Sequence, residues 1–128
     1  VVNERRFISQ YYIGKHCIIL CHGKDDKSLK FGFKPHLDHK QIEKITDYIR
    51  INKIKSDYIE FSKGDSHQML FDYSSSDAFD YCNYGALSPS SELVMTNFKR
   101  GRSSFVIQHI NPNKNEKKVE PFYFDWNP

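Results

Sequence analysis

The sequence predicts an α+β domain, a small antiparallel sheet carrying two or three helices, and three observations point there. Segment 11–22 reads as a buried strand, and 103–110 and 119–126 alternate with the period of a strand. The stretch QIEKITDYI places Ile42, Ile45 and Ile49 at helical spacing. Between these segments lie clusters of Gly, Pro, Asn and Asp, the usual punctuation of turns.

Each element follows from local chemistry. YYIGKHCIILCH (11–22) reads as one buried strand with His16, Ile18, Leu20 and His22 on one face and Cys17, Ile19 and Cys21 on the other. GKDDK (23–27) is a polar turn that should close a hairpin onto SLKFGF, where Leu29, Phe31 and Phe33 share a face. Pro35 ends that strand. Asp38 followed by Gln41 has capping-box spacing, so a helix is predicted over 39–51. DYIEF (57–61) is a short strand broken by Gly64 and Asp65. Asp65 and Gln68 repeat the capping-box spacing and predict a second helix with Ser66 in its first turn and Met69, Leu70 and Tyr73 inward. Segment 74–92 reads as turns around short helical pieces. A last hairpin joins 103–110 to 119–126 through NPNKNEKK, with Phe122, Phe124 and Trp126 expected to face the core.

Composition narrows the class. At 128 residues the chain is expected to form one domain, 1–128, with room for one compact site. It opens without Met and is read as a fragment or processed chain. The 38% hydrophobic and 15% aromatic content is that of a globular protein, and no stretch approaches the roughly 20 apolar residues that span a bilayer. A net charge of +3 with interspersed signs requires no nucleic-acid footprint, and KRGR (99–102) is accounted for by a solvated loop. Three cysteines, an odd number, argue against a disulfide scaffold and for a cytoplasmic location with reduced thiols.

Two residues suggest chemistry. His16 on a strand and Ser66 at a helix start could form a base and nucleophile, because the first helical turn offers unpaired N–H groups to an oxyanion. GKHCIIL, then LKFGFKP, then QIEKITDYI, then YIEFSKGDSHQML resembles the circularly permuted papain-like proteins, the group of NlpC/P60 peptidases and lecithin:retinol acyltransferases, over residues 14–73. The resemblance implies a papain-like core, His16 as base and Ser66 where the family has cysteine, with His36 or Asp38 orienting the imidazole. It implies an acyl hydrolase or acyltransferase, active or inactivated by the serine, acting on a protein or other amide or acyl substrate without metal or organic cofactor. Effector function in a host cytosol would suit so small a domain.

Other readings compete. Ser66 serves equally as a plain helix-start residue and His16 as a hydrogen-bonded core histidine. Cys17, Cys21, His36 and His39 superficially resemble a zinc-finger spacing, although cysteines inside an apolar strand behave as small hydrophobes. Cys82 is an alternative nucleophile. GDS lacks the later D-x-x-H of the GDSL esterases, and FDYCNYGALSPSSEL lacks the partner motif of SET-domain methyltransferases. From a different class, the chain would be a non-catalytic protein–protein interaction module using an edge strand or the aromatic strand PFYFDW.

Overall fold

The computed structural model describes residues 2–5, 8–21, 36–64, 69–84 and 103–124. Its elements in chain order are β1 (Val2–Arg5), β2 (Ile8–Ile13), β3 (His16–Cys21), α1 (His39–Ile51), β4 (Tyr58–Lys63), β5 (Leu70–Asp72), β6 (Asp80–Asn83), β7 (Ser103–Ile110) and β8 (Lys117–Phe124). Six strands form one mixed sheet in the order β1-β2-β3-β4-β6-β5, and β7 pairs with β8 in a separate two-stranded sheet. β3, β4 and β6 run parallel; the remaining pairs are antiparallel.

The expected antiparallel sheet is thus corrected to a mixed one, and a single helix stands among the described residues. Three local reasons account for the differences. The strand expected over 11–22 is two strands, because Gly14 and Lys15 form a two-residue turn between Ile13 and His16. Gly14 takes φ +54, and a Cβ there would lie 2.3 Å from the Pro112 carbonyl oxygen. Met69, Leu70 and Tyr73 satisfy helical spacing, yet Leu70–Asp72 is an edge strand paired with Tyr81–Asn83. Segment 80–83, expected to be turns and helical pieces, is β6, bonded to β4 on its other side. The SLKFGF hairpin partner and the helix start at Ser66 lie outside the described residues.

α1 covers one face of the mixed sheet over its expected range. Asp38 caps it reciprocally: its carboxylate accepts from the Gln41 N–H at 2.9 Å, and its own N–H donates to Gln41 Oε1 at 3.1 Å. Gln41, Ile45 and Tyr48 point inward. Ile45 and Tyr48 join Ile8, Cys17, Ile19, Phe61 and Tyr81 in the core. Each large apolar side chain buried there contributes about 1.5–3 kcal/mol. The one polar group at the end of Tyr48 is satisfied, since its hydroxyl accepts from Gln10 Nε2 at 3.1 Å.

The opposite face of the sheet carries His16, Ile18, Tyr58, Glu60, Ser62 and Cys82, because these positions share the strand alternation across β3, β4 and β6. There the β7–β8 hairpin lies down. No helix among the described residues is long and apolar enough to cross a membrane.

Candidate interaction face

A buried carboxylate determines how the hairpin sits. Glu60 is 3% exposed and accepts from Ser62 Oγ at 3.0 Å, from Gln108 Nε2 at 3.1 Å and from Lys117 Nζ at 3.0 Å. Lys117 also reaches Asp80 at 2.8 Å and stands 4.7 Å above the Tyr73 ring. Burial alone would lower the Lys117 pKa; the Glu60 and Asp80 carboxylates outweigh it and raise the pKa above its ordinary value. A buried carboxylate without such partners would cost several kcal/mol, so the side of the hairpin bearing Gln108 and Lys117 must turn inward.

A second anchor holds the hairpin turn. His16 Nε2 lies 2.8 Å from both the Asn111 and Lys114 carbonyl oxygens. Two acceptors require the proton on Nε2, so the ring donates a shared hydrogen bond into the turn. The Lys15 N–H donates to the Pro112 carbonyl at 2.7 Å, beside the Cβ-free space that Gly14 provides. Two turns from opposite ends of the chain therefore interlock.

Alternation then forces the other side of the hairpin outward. Phe105, Ile107 and His109 on β7 share that side with Phe122, Glu120 and Lys118 on β8. Phe105 and Phe122 stack at 5.0 Å with an interplanar angle of 14°, and Phe124 joins at 6.1 Å. Phe105, Ile107 and Phe122 are 41%, 44% and 40% exposed. Phe122 was expected inside and is outside; Trp126 lies beyond the described residues. At the polar end of the face, Glu120 accepts from Lys118 at 2.8 Å and lies 3.5 Å from His109 Nε2.

Those of the residues singled out in the sequence that are described hold separate structural places. His16 is 5% exposed and holds the hairpin turn. Asp38 caps α1, and His36 is exposed just before it. Ser66 lies outside the described residues. Cys17 is in the core beneath α1, where burial raises its thiol pKa. Cys82 is fully buried, and burial, followed by the Glu60 charge, pushes its thiol up, which keeps it protonated near neutrality. Among the described residues no group of three or more His, Cys, Asp or Glu could hold a metal ion. Sequence reasoning named neither Glu60 nor Lys117. The available signal was Glu60 itself, an acid inside the apolar run YIEF, which needs a cation somewhere in the chain.

No protein-family model and no curated protein matches the chain. Solved structures of Vps29 from Entamoeba histolytica do. The wild-type protein complexed with Zn2+ aligns with a TM-score of 0.56 at 16% identity, covering 98% of this chain and 64% of that one. A single mutant gives 0.54 at 17% identity with the same coverages. A double mutant gives 0.55 at 16% identity, covering 98% and 66%. The chain spans about 64–66% of the length of these structures. This likeness, together with the mixed sheet, overturns the papain-like resemblance and the acyl-hydrolase or thiol-protease activity drawn from it. The fold of the molecule is Vps29-like.

Proposed function

We propose that the chain is a non-catalytic protein-interaction module, built as a single domain, whose docking surface is the outer side of the β7–β8 hairpin. The observation that carries this reading is the solvent-facing stack of Phe105 on Phe122. Among the described residues, eight large apolar side chains are exposed, and three of them (Phe105, Ile107 and Phe122) lie together on this one side of the hairpin. Clustered exposed apolar groups mark interaction sites where scattered ones do not.

The chemistry of the patch supports a polypeptide partner. Two or three rigid aromatic rings beside a polar rim of Lys118, Glu120 and His109 resemble the anchor-and-rim composition of protein interfaces. The hairpin is pre-organised, because Glu60, His16 and Lys15 fix its inner side and turn. A partner would then spend little free energy on ordering it. With all three thiols outside disulfides, the module suits a cytoplasmic location.

The test compares proteins retained from source-organism extract by the wild-type chain and by a Phe105→Asp/Phe122→Asp variant of unchanged circular dichroism. The variant is expected to lose at least one partner by tenfold or more. Identical retention by both would contradict the reading.

A further inference from the structure

We infer that one ordered water molecule is seated between the β7–β8 hairpin and the sheet, where it donates to Gln108 Oε1 and completes the polar contacts of that seam. The site is on the inner side of the hairpin, so it stands or falls separately from what docks on the outer side.

One side-chain amide fixes the position. Gln108 turns toward the sheet beside Lys117, and its Nε2 lies 3.1 Å from both carboxylate oxygens of Glu60. The donor and acceptor ends of an amide have almost the same shape, and Glu60 decides between them. Turned over, Gln108 would set its oxygen against a carboxylate, acceptor against acceptor. The N–H end therefore faces Glu60, and Oε1 faces away from it. Oε1 is shut off from solvent, and no protein group among the described residues donates to it. Buried polar atoms of this kind nearly always have a partner, supplied either by protein or by ordered water.

Space for that partner lies at the same place. A cavity of about 10 Å³ sits between the sheet and the hairpin, close to the room of one water molecule and no more. Ile18 and Ile110 form apolar walls, and Glu60, Asp80, Gln108 and Lys117 form the polar ones. A purely apolar void stays dry, whereas a buried water takes two to four hydrogen bonds. Here Gln108 Oε1 accepts one O–H, and a carboxylate oxygen of Glu60 or Asp80 accepts the other. Lys117, whose Nζ stands 3.0 Å from Glu60 and 2.8 Å from Asp80, supplies a donor to the water oxygen. The charges in the wall also select the occupant. The ammonium disfavours a second cation and the two carboxylates disfavour an anion, so a neutral molecule with both donor and acceptor capacity fits. At this size that molecule is water.

The test is water-to-protein cross-relaxation, measured by NMR on the isotope-labelled 128-residue chain. Expected are cross-peaks of the sign given by a long-held water at the Gln108 side-chain amide protons and at the Ile18 and Ile110 methyl groups. Gln108→Met keeps the length of the side chain without its amide, and is expected to lose these cross-peaks while the rest of the spectrum stays dispersed. Absence of long-held water at these groups in the wild type, or full retention of the cross-peaks in a folded Gln108→Met variant, would overturn the inference. Should the variant fail to fold, an atomic-resolution crystal structure of the wild type decides: density within hydrogen-bond distance of Gln108 Oε1 is expected, and a dry cavity there would overturn it.

Discussion

At the scale of single residues, two positions bear on whether the hairpin can dock. Gly14 combines a left-handed backbone with contact against Pro112. Gly14→Ala adds backbone strain of roughly 1–2 kcal/mol and a clash of about 1–3 kcal/mol. The expected result is a marked fall in melting temperature, with the turn between β7 and β8 loosened in hydrogen exchange. Lys117 is the second. Lys117→Met leaves Glu60 and Asp80 without their cation, an expected loss of about 3–5 kcal/mol in a denaturant titration. The pH dependence follows in sign. Because its carboxylate partners raise the folded pKa of Lys117, its contribution is complete below the unfolded lysine pKa of about 10.4 and disappears as pH rises through the folded value. Cys82 acts in the same direction from a lower starting point, since burial raises its thiol above its ordinary 9.0. Stability should therefore decline from about pH 9 upward, and Cys82→Ala should delay that decline; an identical alkaline profile for the variant would refute the assignment.

At the scale of elements, legibility tracked the range of the interactions. α1 was readable because its cap and apolar spacing lie within thirteen contiguous residues and their neighbour Asp38. The β7–β8 hairpin was readable because alternation flanks a polar turn. β5 reads as helix in the sequence because Leu70 and Tyr73 are three residues apart, as on one helical face, and only the ladder to β6 decides for a strand. The hairpin faces inward with the side opposite to the one its aromatic residues suggest. Hydrophobicity favours turning Phe105 and Phe122 in, but Glu60, forty-eight residues from Gln108 in the chain, demands polar partners. A further test belongs at this scale. Lys53, just past α1, holds φ +52, a conformation that costs a non-glycine residue roughly 1–2 kcal/mol. Lys53→Gly is expected to raise stability by about 1 kcal/mol, seen as a higher unfolding midpoint with an unchanged slope.

At the scale of the whole molecule, the parallel order β3-β4-β6 with α1 on one face and the hairpin on the other sets this chain apart from a papain-like arrangement. That order was not legible, because parallel neighbours are joined by long crossovers and no local pattern announces them. The motif strings that resembled a peptidase are short, and His16 illustrates the hazard. A histidine on an apolar strand looks the same in sequence whether it serves a nucleophile or, as here, donates to two carbonyls of a distant turn. The consequence of the global arrangement is a rigid aromatic surface on the outside, held in place by polar contacts on the inside.

The most direct measurement of that claim uses a photoreactive benzoylphenylalanine replacing Phe105, with the same group replacing exposed Asp47 on α1 as the control, in the source organism's cells. Covalent capture of polypeptide from position 105 and little from 47 is the expected result. Equal yields from the two positions, or capture from 47 alone, would contradict the account.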